Sequence, residues 1–239
     1  MEFLELTLES PQANLALDEA LLADAEESTA QRETLRIWES PELVVVVGRS
    51  SRVEDEVDVV ACRDRCVPIL RRPSGGAAIV AGPGCLMYSV VLNLERRPHL
   101  RAVDAAHCEV LGQLIGALKP HLDGVEIRGT SDLAIGERKF SGNSLRVARN
   151  HLLYHGTLMY DFPIESITSL LRRAPREPDY RRDRDHANFV TNVALSPERL
   201  CRLLAAGWNA KMLRADWPRN RVERLVNERY ADNAWNFRH

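Results

Sequence analysis

The segment VPILRRPSGGAAIVAGPGCLMYSVVLNL, residues 67–94, indicates the fold class. It contains three short apolar runs at 67–70, 77–80 and 87–94, and turns rich in glycine and proline separate them. The glycine-proline turn at 82–84 favours a hairpin between the second and third runs. Strands that follow one another without intervening helices are typical of an α+β protein rather than a doubly wound parallel sheet.

The sequence on both sides of this segment mixes helical and strand patterns. Apolar periodicity predicts helices at 14–25, 103–118 and about 221–230, a Ser-Pro pair predicts a helix start at 196, and apolar runs predict strands at 43–47 and 152–160. Helices and strands do not alternate strictly, so we expect a mixed or antiparallel sheet flanked by helices.

The composition is that of an ordinary globular protein. The chain has 239 residues, of which 45% are apolar and 28% charged, with a formal net charge of −2. This excludes a disordered chain and argues against binding to nucleic acid or to membrane surfaces through net charge. No apolar stretch is long enough to span a membrane, and the N-terminus resembles no secretion signal, so we expect neither a membrane partner nor export.

Cysteine and lysine usage add two expectations. Five cysteines, an odd number, in a chain too large to need disulfides fit a reducing cytoplasm. Only Lys119, Lys139 and Lys211 are lysines among 32 basic residues. In a chain that uses arginine almost everywhere, each retained lysine is a candidate functional residue, because an ammonium and a guanidinium are not interchangeable.

Residues 71–78, RRPSGGAA, form the first candidate site. Two glycines after a strand let backbone N–H groups approach an anion closely, and the adjacent arginines add positive charge. The pattern is equally compatible with a hairpin turn that has basic flanks. Its spacing fits neither a P-loop nor a dinucleotide-binding fingerprint.

Three further polar groups are candidates on residue type alone. Lys139 lies beside a Ser-Gly turn and can hold a carboxylate or phosphate oxygen, or it can be an exposed turn residue. His155 precedes Gly156 in a predicted strand and can be a base, a ligand-binding group or a structural residue. His186 follows an arginine-rich segment, 171–185, which we expect to be a mobile loop, either solvated or ordered over an anionic ligand.

Two chemical classes lack their signatures. Cys62 and Cys66 are four residues apart, but no second Cys/His pair follows at zinc-site spacing, so no metal site is assigned. No Gly-x-Ser-x-Gly elbow exists, which disfavours a serine hydrolase.

Taken in order, these motifs resemble the lipoate–protein ligase family, within the wider group of biotin and lipoate ligases and octanoyltransferases. The similar segments are the N-terminal helix at 14–20, a strand ending in Gly-Arg at 46–49, the ligand-binding signature at 71–76, a catalytic-lysine segment at 131–133 and 139–143, a His-Gly-Thr-Leu strand at 155–158, and the domain end at 235–237.

The resemblance implies a single catalytic domain over 1–239 with the class II synthetase-like fold of biotin and lipoate ligases. It implies activation of lipoate by ATP and Mg²⁺ to lipoyl-AMP, then transfer to a lysine of a carrier domain. Lys139 is the implied catalytic residue. The implied substrate- and adenylate-binding residues are Arg72, Ser74, Gly75, Gly76, Ala77, Asp132, Ser141, Gly142, His155, Gly156 and Thr157.

The chain also departs from the family pattern. Ala77 replaces the usual third glycine, Ala81-Gly82 replaces His-Asp, and Cys85 replaces the asparagine of Gly-Asn. The chain ends where the catalytic domain ends, so we expect no C-terminal accessory domain and consider a separate accessory protein. The implied carriers are E2 subunits of 2-oxoacid dehydrogenases or the glycine-cleavage H protein.

Two alternatives stay open, and a third is disfavoured. An octanoyl- or lipoyl-transferase would work through a cysteine thioester, and Cys85 is then the candidate nucleophile. A non-catalytic homologue would bind lipoate or an adenylate without turnover. A biotin ligase is disfavoured because Gly48-Arg49 continues as Ser50-Ser51-Arg52 rather than as a Gly-Arg-Gly-Arg loop.

Overall fold

The computed structural model describes residues 1–173, 175 and 177–239. Its strands are β1 (Glu2–Glu5), β2 (Thr34–Glu39), β3 (Val44–Val47), β4 (Ile69–Arg71), β5 (Ile79–Ala81), β6 (Cys85–Asn93), β7 (Val125–Arg128), β8 (Asp132–Ile135), β9 (Arg138–Val147), β10 (His151–Met159) and β11 (Met212–Leu213). Its helices are α1 (Pro11–Glu27), α2 (Val53–Glu56), α3 (Val59–Asp64), α4 (Val103–Leu118), α5 (Ile164–Leu170), α6 (His186–Phe189), α7 (Pro197–Gly207), α8 (Arg219–Leu225) and α9 (Asn233–Asn236). Short 3₁₀ turns lie at Pro98–Arg101 and Asp179–Arg181, and a π turn lies at Val226–Tyr230.

A large mixed sheet forms the centre of the fold. Its strand order is β11-β1-β2-β6-β10-β9-β8-β7. The pairs that include β1 are parallel, and the pairs from β2 to β7 are antiparallel. The α+β expectation with a mixed sheet is therefore confirmed.

A second, three-stranded sheet has the order β4-β3-β5, and it corrects the hairpin expected around residues 82–84. β5 pairs with β3, whereas β6 pairs with β2 on one side and β10 on the other. All nine residues of β6 are buried, so both of its edges need neighbours, and none is left for β5. The turn therefore carries the chain from the small sheet to the large one.

Helices cover both faces of the large sheet. On one face α4 and α7 pack their apolar stripes, including Leu111, Leu114, Leu200 and Leu204, against the sheet. On the other face α1 and the small sheet enclose a second core. As predicted, α7 begins after Ser196, whose hydroxyl accepts a hydrogen bond from the Arg199 N–H. No helix in the described ranges is long and apolar enough to cross a bilayer.

A buried ion pair joins α1 to the large sheet. Arg36 Nη1 on β2 lies 2.7 Å from Asp18 Oδ1 on α1, and both side chains are almost fully buried. Arg36 also donates to Asn14 Oδ1 and to the Leu6 carbonyl. Burying two charges is costly unless every polar atom is paired, so this network fixes Asp18 in one orientation. That orientation matters because Asp18 faces β10, where His155 lies.

Candidate active site

A cleft opens between the small sheet and strands β9 and β10 of the large sheet. Its two lobes have cavity volumes of about 130 and about 360 Å³. We call them the Phe189 lobe and the His155 lobe after a residue that lines each one. Both lobes are lined by Ala77, Ala78, Ile79, Lys139, Gly142, Thr157 and Pro178.

Lys139 reaches this junction because of an irregularity in the sheet. The β8–β9 register shifts after Leu133, so that Leu133 pairs with Ser141 but Ala134 pairs with Lys139. Such a bulge turns a side chain away from its regular direction. A Cβ at Gly142 would lie 2.8 Å from Lys139 Nζ. The glycine therefore provides the space in which the ammonium lies.

The ammonium of Lys139 is paired with a carboxylate that a tyrosine orients. Lys139 Nζ lies 2.7 Å from Asp132 Oδ1, and both side chains are largely buried. The Tyr180 hydroxyl donates to Asp132 Oδ2 at 2.7 Å. Burial, followed by the charge of Asp132, raises the pKa of Tyr180, so the phenol stays a proton donor. Both oxygens of Asp132 thus have partners.

His155 connects the small sheet's loop to the buried ion pair of α1. Its Nε2 and the Ser74 Oγ are 2.5 Å apart and share a hydrogen bond, and its Nδ1 lies 3.9 Å from Asp18 Oδ2. Burial opposes a charge on Asp18, but Arg36 and His155 together hold its pKa below the ordinary value. Asp18 is therefore an anion at neutral pH, and it orients the imidazole toward the loop.

Arg72 shapes the glycine loop from inside. Its guanidinium donates to the carbonyls of Val46, Gly75 and Ala77 and to the Ser74 hydroxyl. Burial lowers the pKa of Arg72 to about 10, and nearby Glu56 opposes this shift, so the group remains charged at neutral pH. Most of its guanidinium N–H groups hold the glycine loop in a folded shape, and the outer edge of that loop faces the cleft.

The structure brings most of the predicted binding residues to this cleft. The His155 lobe is lined by Arg72, Gly76, Ala77, Asp132, Gly142, His155, Gly156 and Thr157, beside Lys139. Ser74, Gly75 and Ser141 lie outside the lining. Ser74 and Ser141 are buried behind it, whereas Gly75 is exposed at its rim.

The Phe189 lobe is apolar at its centre and basic at its rim. Apolar walls come from Val80, Met159, Ile167, Leu171, Phe189 and Val190, and the rim includes Arg172, Arg181 and His186. The Arg181 guanidinium lies 4.9 Å from the centre of the Phe189 ring. Burial and the charge of Arg181 lower the pKa of His186, so this imidazole is neutral at neutral pH.

Cys85 also lines the Phe189 lobe. Its side chain is buried, and burial, reinforced by the charge of Glu39, raises the thiol pKa to about 12. Only the thiolate is a good nucleophile, so this environment suppresses the reactivity that a thioester route requires. All five cysteines of the chain are free thiols in the structure.

The arginine-rich segment 171–185 packs more closely than its composition predicted. Leu171 and Arg181 are buried, and a 3₁₀ turn places Tyr180 against both Asp132 and Phe189. Aromatic and guanidinium groups bury their flat faces here without a continuous apolar stripe, which explains the error. The part of the prediction that concerns residues 174 and 176 lies outside the described residues.

The described carboxylates, histidines and cysteines do not form a preassembled metal site. No group of three or more of them could hold an ion. Asp132 and Glu177 nevertheless line the His155 lobe next to Lys139. Glu177 is paired with Arg173 and Arg181, and Asp132 is paired with Lys139. Mg²⁺ commonly binds to one or two carboxylates together with substrate phosphates, so Asp132 fits a site that a nucleotide would complete once Lys139 turns to an anionic ligand.

The comparisons with known proteins show the family to which the chain belongs. Residues 10–199 match the family model described as "Lipoyl protein ligase A/B catalytic domain". The chain belongs to this family. The family match covers the strands, the glycine loop and the lysine that form the cleft, so the resemblance inferred from the sequence is confirmed.

Two relatives and one solved structure describe the extent of the similarity. Proteins of Schizosaccharomyces pombe and Aeropyrum pernix, both named as candidate lipoate-protein ligases of type A, are 33% and 31% identical over 68% and 84% of this chain. The chain spans 42% of the first and 70% of the second. A bi-partite lipoate protein ligase of Thermoplasma acidophilum has the same fold, with a TM-score of 0.81, 21% identity, and coverage of 99% of this chain and 96% of that one.

Sequence reasoning missed several residues of the site. Asp18 lies inside the N-terminal motif, but nothing local indicates that it faces His155. Tyr180 and Phe189 lie in or after a charged segment that has no apolar period. Glu56 accepts a hydrogen bond from the Ala78 N–H at 2.5 Å, and its position on a four-residue helix gave no signal.

Proposed function

We propose that this chain is the catalytic domain of a lipoate–protein ligase, which activates lipoate with ATP to lipoyl-AMP and transfers the lipoyl group to a carrier lysine. The observation behind the proposal is the position of Lys139, whose side chain lines both lobes of the cleft. A cation at this junction can contact a carboxyl group from one lobe and a phosphate from the other.

The two lobes suit the two halves of an acyl-adenylate. Leu15, Val46 and Met87 give the His155 lobe an apolar part for the acyl chain. In the Phe189 lobe, the apolar walls offer a surface for a base, while Arg172 and Arg181 offer positive charge to phosphates. The acyl carboxyl and the α-phosphate would then meet beside Lys139.

The chemistry consists of two displacement steps. In the first, a carboxylate oxygen of lipoate bonds to the α-phosphorus of ATP, and pyrophosphate leaves with the electron pair of the broken P–O bond. In the second, a neutral carrier amine bonds to the acyl carbonyl carbon, AMP leaves with the electron pair of the C–O bond, and the amine loses a proton. Both steps depend on positioning and on stabilisation of shifting negative charge rather than on covalent catalysis by the protein.

The residues around Lys139 have separate roles in this scheme. Lys139 exchanges Asp132 for the substrate's carboxyl and α-phosphate oxygens, and Tyr180 keeps Asp132 in place when it does. Asp132, released by Lys139 at the junction of the two lobes, would hold Mg²⁺ together with phosphate oxygens, and the ion would supply neutralisation of the triphosphate. His155, oriented by Asp18, is the candidate acceptor for the proton of the carrier amine.

Known proteins with this fold support the choice of substrates and partners. Solved structures include a T. acidophilum protein with bound lipoic acid, a lipoate-protein ligase A bound with ATP, and the T. acidophilum ligase studied with its E2 lipoyl domain. We propose lipoate, ATP and Mg²⁺ for this chain. The proposed carriers are E2 lipoyl domains or the glycine-cleavage H protein. We also propose that a separate accessory subunit assists activation and that the protein lies in a reducing cytoplasm.

The test measures the intact mass of an apo lipoyl domain after incubation with the protein, lipoate, ATP and Mg²⁺. We expect a lipoyl mass gain that requires ATP and disappears in Lys139→Ala. Lys119→Ala changes an exposed lysine on the far side of the sheet and is the matched control. Retained lipoylation in Lys139→Ala would contradict the assignment. If the wild type fails with ATP but transfers from preformed lipoyl-AMP, activation needs the accessory subunit.

The position of Cys85 supports a second candidate function. Because this thiol lines the Phe189 lobe, an octanoyl- or lipoyl-transferase reaction through a thioester has a nucleophile in the cleft. Transfer from octanoyl acyl carrier protein that needs no ATP would favour it. A non-catalytic lipoate- or adenylate-binding homologue would show no ATP–pyrophosphate exchange.

A further inference from the structure

Four arginines form one surface beside the cleft, and we call it the arginine face: Arg49, Arg146, Arg229 and Arg238. They come from distant parts of the chain, namely the loop after β3, strand β9, and the C-terminal turn and tail. Contacts join them in a row. Arg146 and Arg229 both pair with Glu19, Arg229 and Arg238 both lie over the Trp235 ring, and Arg238 donates to the Arg49 carbonyl.

This surface has an excess of positive charge. Glu19 is the carboxylate that Arg146 and Arg229 share, and neither Arg49 nor Arg238 has a carboxylate within 4 Å among the described residues. Four cations with one anion leave three positive charges, on a chain whose formal net charge is −2. Partial burial and the charges of Arg49 and Arg229 lower the pKa of Arg238, which reflects the crowding of like charges. Solubility alone does not require cations to be packed against one another.

The arginine face adjoins the opening of the His155 lobe. The Arg49 N–H donates to the Ser74 carbonyl at 2.8 Å, which ties its loop to the glycine loop. Ser144, two residues before Arg146 on β9, donates to the Gly75 carbonyl at 2.9 Å. Gly76 lines the cleft itself. A protein resting on the arginine face is therefore next to the rim through which its lysine must enter.

We propose that the arginine face is the docking surface for the carrier domain, and that it recognises carboxylates on the carrier around the target lysine. The inference rests on the proposed ligase function and names the chemistry by which its macromolecular substrate is selected. Complementary charge at the rim of an interface mainly raises the association rate and fixes orientation. The arginine face would therefore select a carrier lysine that is surrounded by acidic residues.

The test separates carrier recognition from activation of lipoate. The double variant Arg49→Glu, Arg238→Glu reverses two arginines that lack carboxylate partners, and Arg202→Glu on the exposed side of α7 is the matched control. We expect the double variant to keep wild-type ATP–pyrophosphate exchange with lipoate. Its KM for an apo E2 lipoyl domain should rise at least about tenfold with little change in kcat. Raising the salt from about 50 to about 300 mM should weaken the wild type strongly and the double variant little.

Binding is measured separately, so that the outcome does not depend on catalysis. A fluorescently labelled apo lipoyl domain is titrated with the wild type, the double variant and the control at both salt concentrations. Exchanging the carboxylates nearest the carrier's lysine for amides should weaken binding to the wild type but not binding to the double variant, whose new glutamates repel those carboxylates. Equal affinity of the double variant and the wild type for the carrier would overturn the proposal. Displacement of the carrier by single-stranded RNA would also overturn the proposal. If the wild type is inactive in lipoylation but still binds the carrier in a salt-dependent way, only the ligase function is refuted.

Discussion

Replacing Cys85 decides between an adenylate route and a thioester route. We expect Cys85→Ala and Cys85→Ser to retain at least about a fifth of the ATP-dependent lipoylation activity. The reason is that Cys85 is a buried wall of the Phe189 lobe rather than an ionised nucleophile. Small substitutions at one apolar wall change substrate contacts by only about 1 kcal/mol per methyl-sized group.

The magnitude of the effect on the thiol follows from its pKa. Burial raises the pKa of Cys85 from 9.0 to about 12. At about pH 7.5, an unshifted thiol of this kind would be roughly 3% thiolate, whereas Cys85 is roughly one part in 30,000. The environment therefore lowers the concentration of the attacking species by about a factor of 1000.

Alkylation provides a direct assay of this difference. Iodoacetamide reacts with thiolates, so peptide mass analysis over time should show modification of the exposed Cys108 and Cys66 well before that of Cys85. The two exposed thiols are the internal reference. Octanoyl acyl carrier protein should leave no acyl mass on the protein after rapid quenching in acid.

Two results would refute this reasoning. One is alkylation of Cys85 at a rate equal to or above that of the exposed thiols. The other is an acyl adduct on Cys85 together with complete loss of transfer in Cys85→Ser. Either result would mean that the cleft opens enough in solution to ionise the thiol, and it would move the function to a transferase.

Three other substitutions test the cleft and the core. Gly142→Ala should lower adenylate formation on the order of 100-fold, because the new methyl group displaces the proposed catalytic ammonium, while the free energy of unfolding stays within about 1 kcal/mol. Gly116→Ala, which meets open space in α4, is its control and should leave activity unchanged. Asp18→Ala should lower the free energy of unfolding by about 3–5 kcal/mol in denaturant titrations, since Arg36 then lacks its buried carboxylate; a loss under about 1 kcal/mol would contradict this. Burial lowers the pKa of His107 below 6.5, so the unfolded chain takes up this proton first and stability should fall as the pH drops below about 6.5. His107→Gln should flatten that part of the pH–stability curve, and an unchanged slope would show that other groups dominate.

Local patterns predicted the individual elements well. The helices α1 and α4 and the strands β3 and β10 follow uninterrupted apolar stripes or runs, and those depend only on nearby residues. The partner of β5 was predicted incorrectly. A short glycine-proline turn is compatible both with a hairpin and with a crossover, and the choice depends on which neighbours bury β6 on both edges.

For the candidate site, too, the sequence predicted one part and not another. The resemblance of short motifs indicated Lys139, Asp132 and most of the lining, because each of these residues lies within a short contiguous motif. The contacts that orient them join residues far apart in the chain, such as Ser74 with His155 and Asp132 with Tyr180. No local period encodes such contacts, so only the folded chain reveals them.

The division into two sheets has a consequence for how the cleft could open. One wall of the cleft belongs to the small sheet and the other to the large sheet, and bonds such as those of Ser74 with His155 and Ser144 with Gly75 bridge them. Each such bond contributes about 1 kcal/mol, far less than the strand ladders within either sheet together contribute. A small shift of one wall against the other would break these bridges and leave both ladders intact, and the apolar core that the small sheet shares with β6 and β10 would limit its extent. Under the proposed function, widening of this kind would let a bulky modified carrier leave without unfolding any strand.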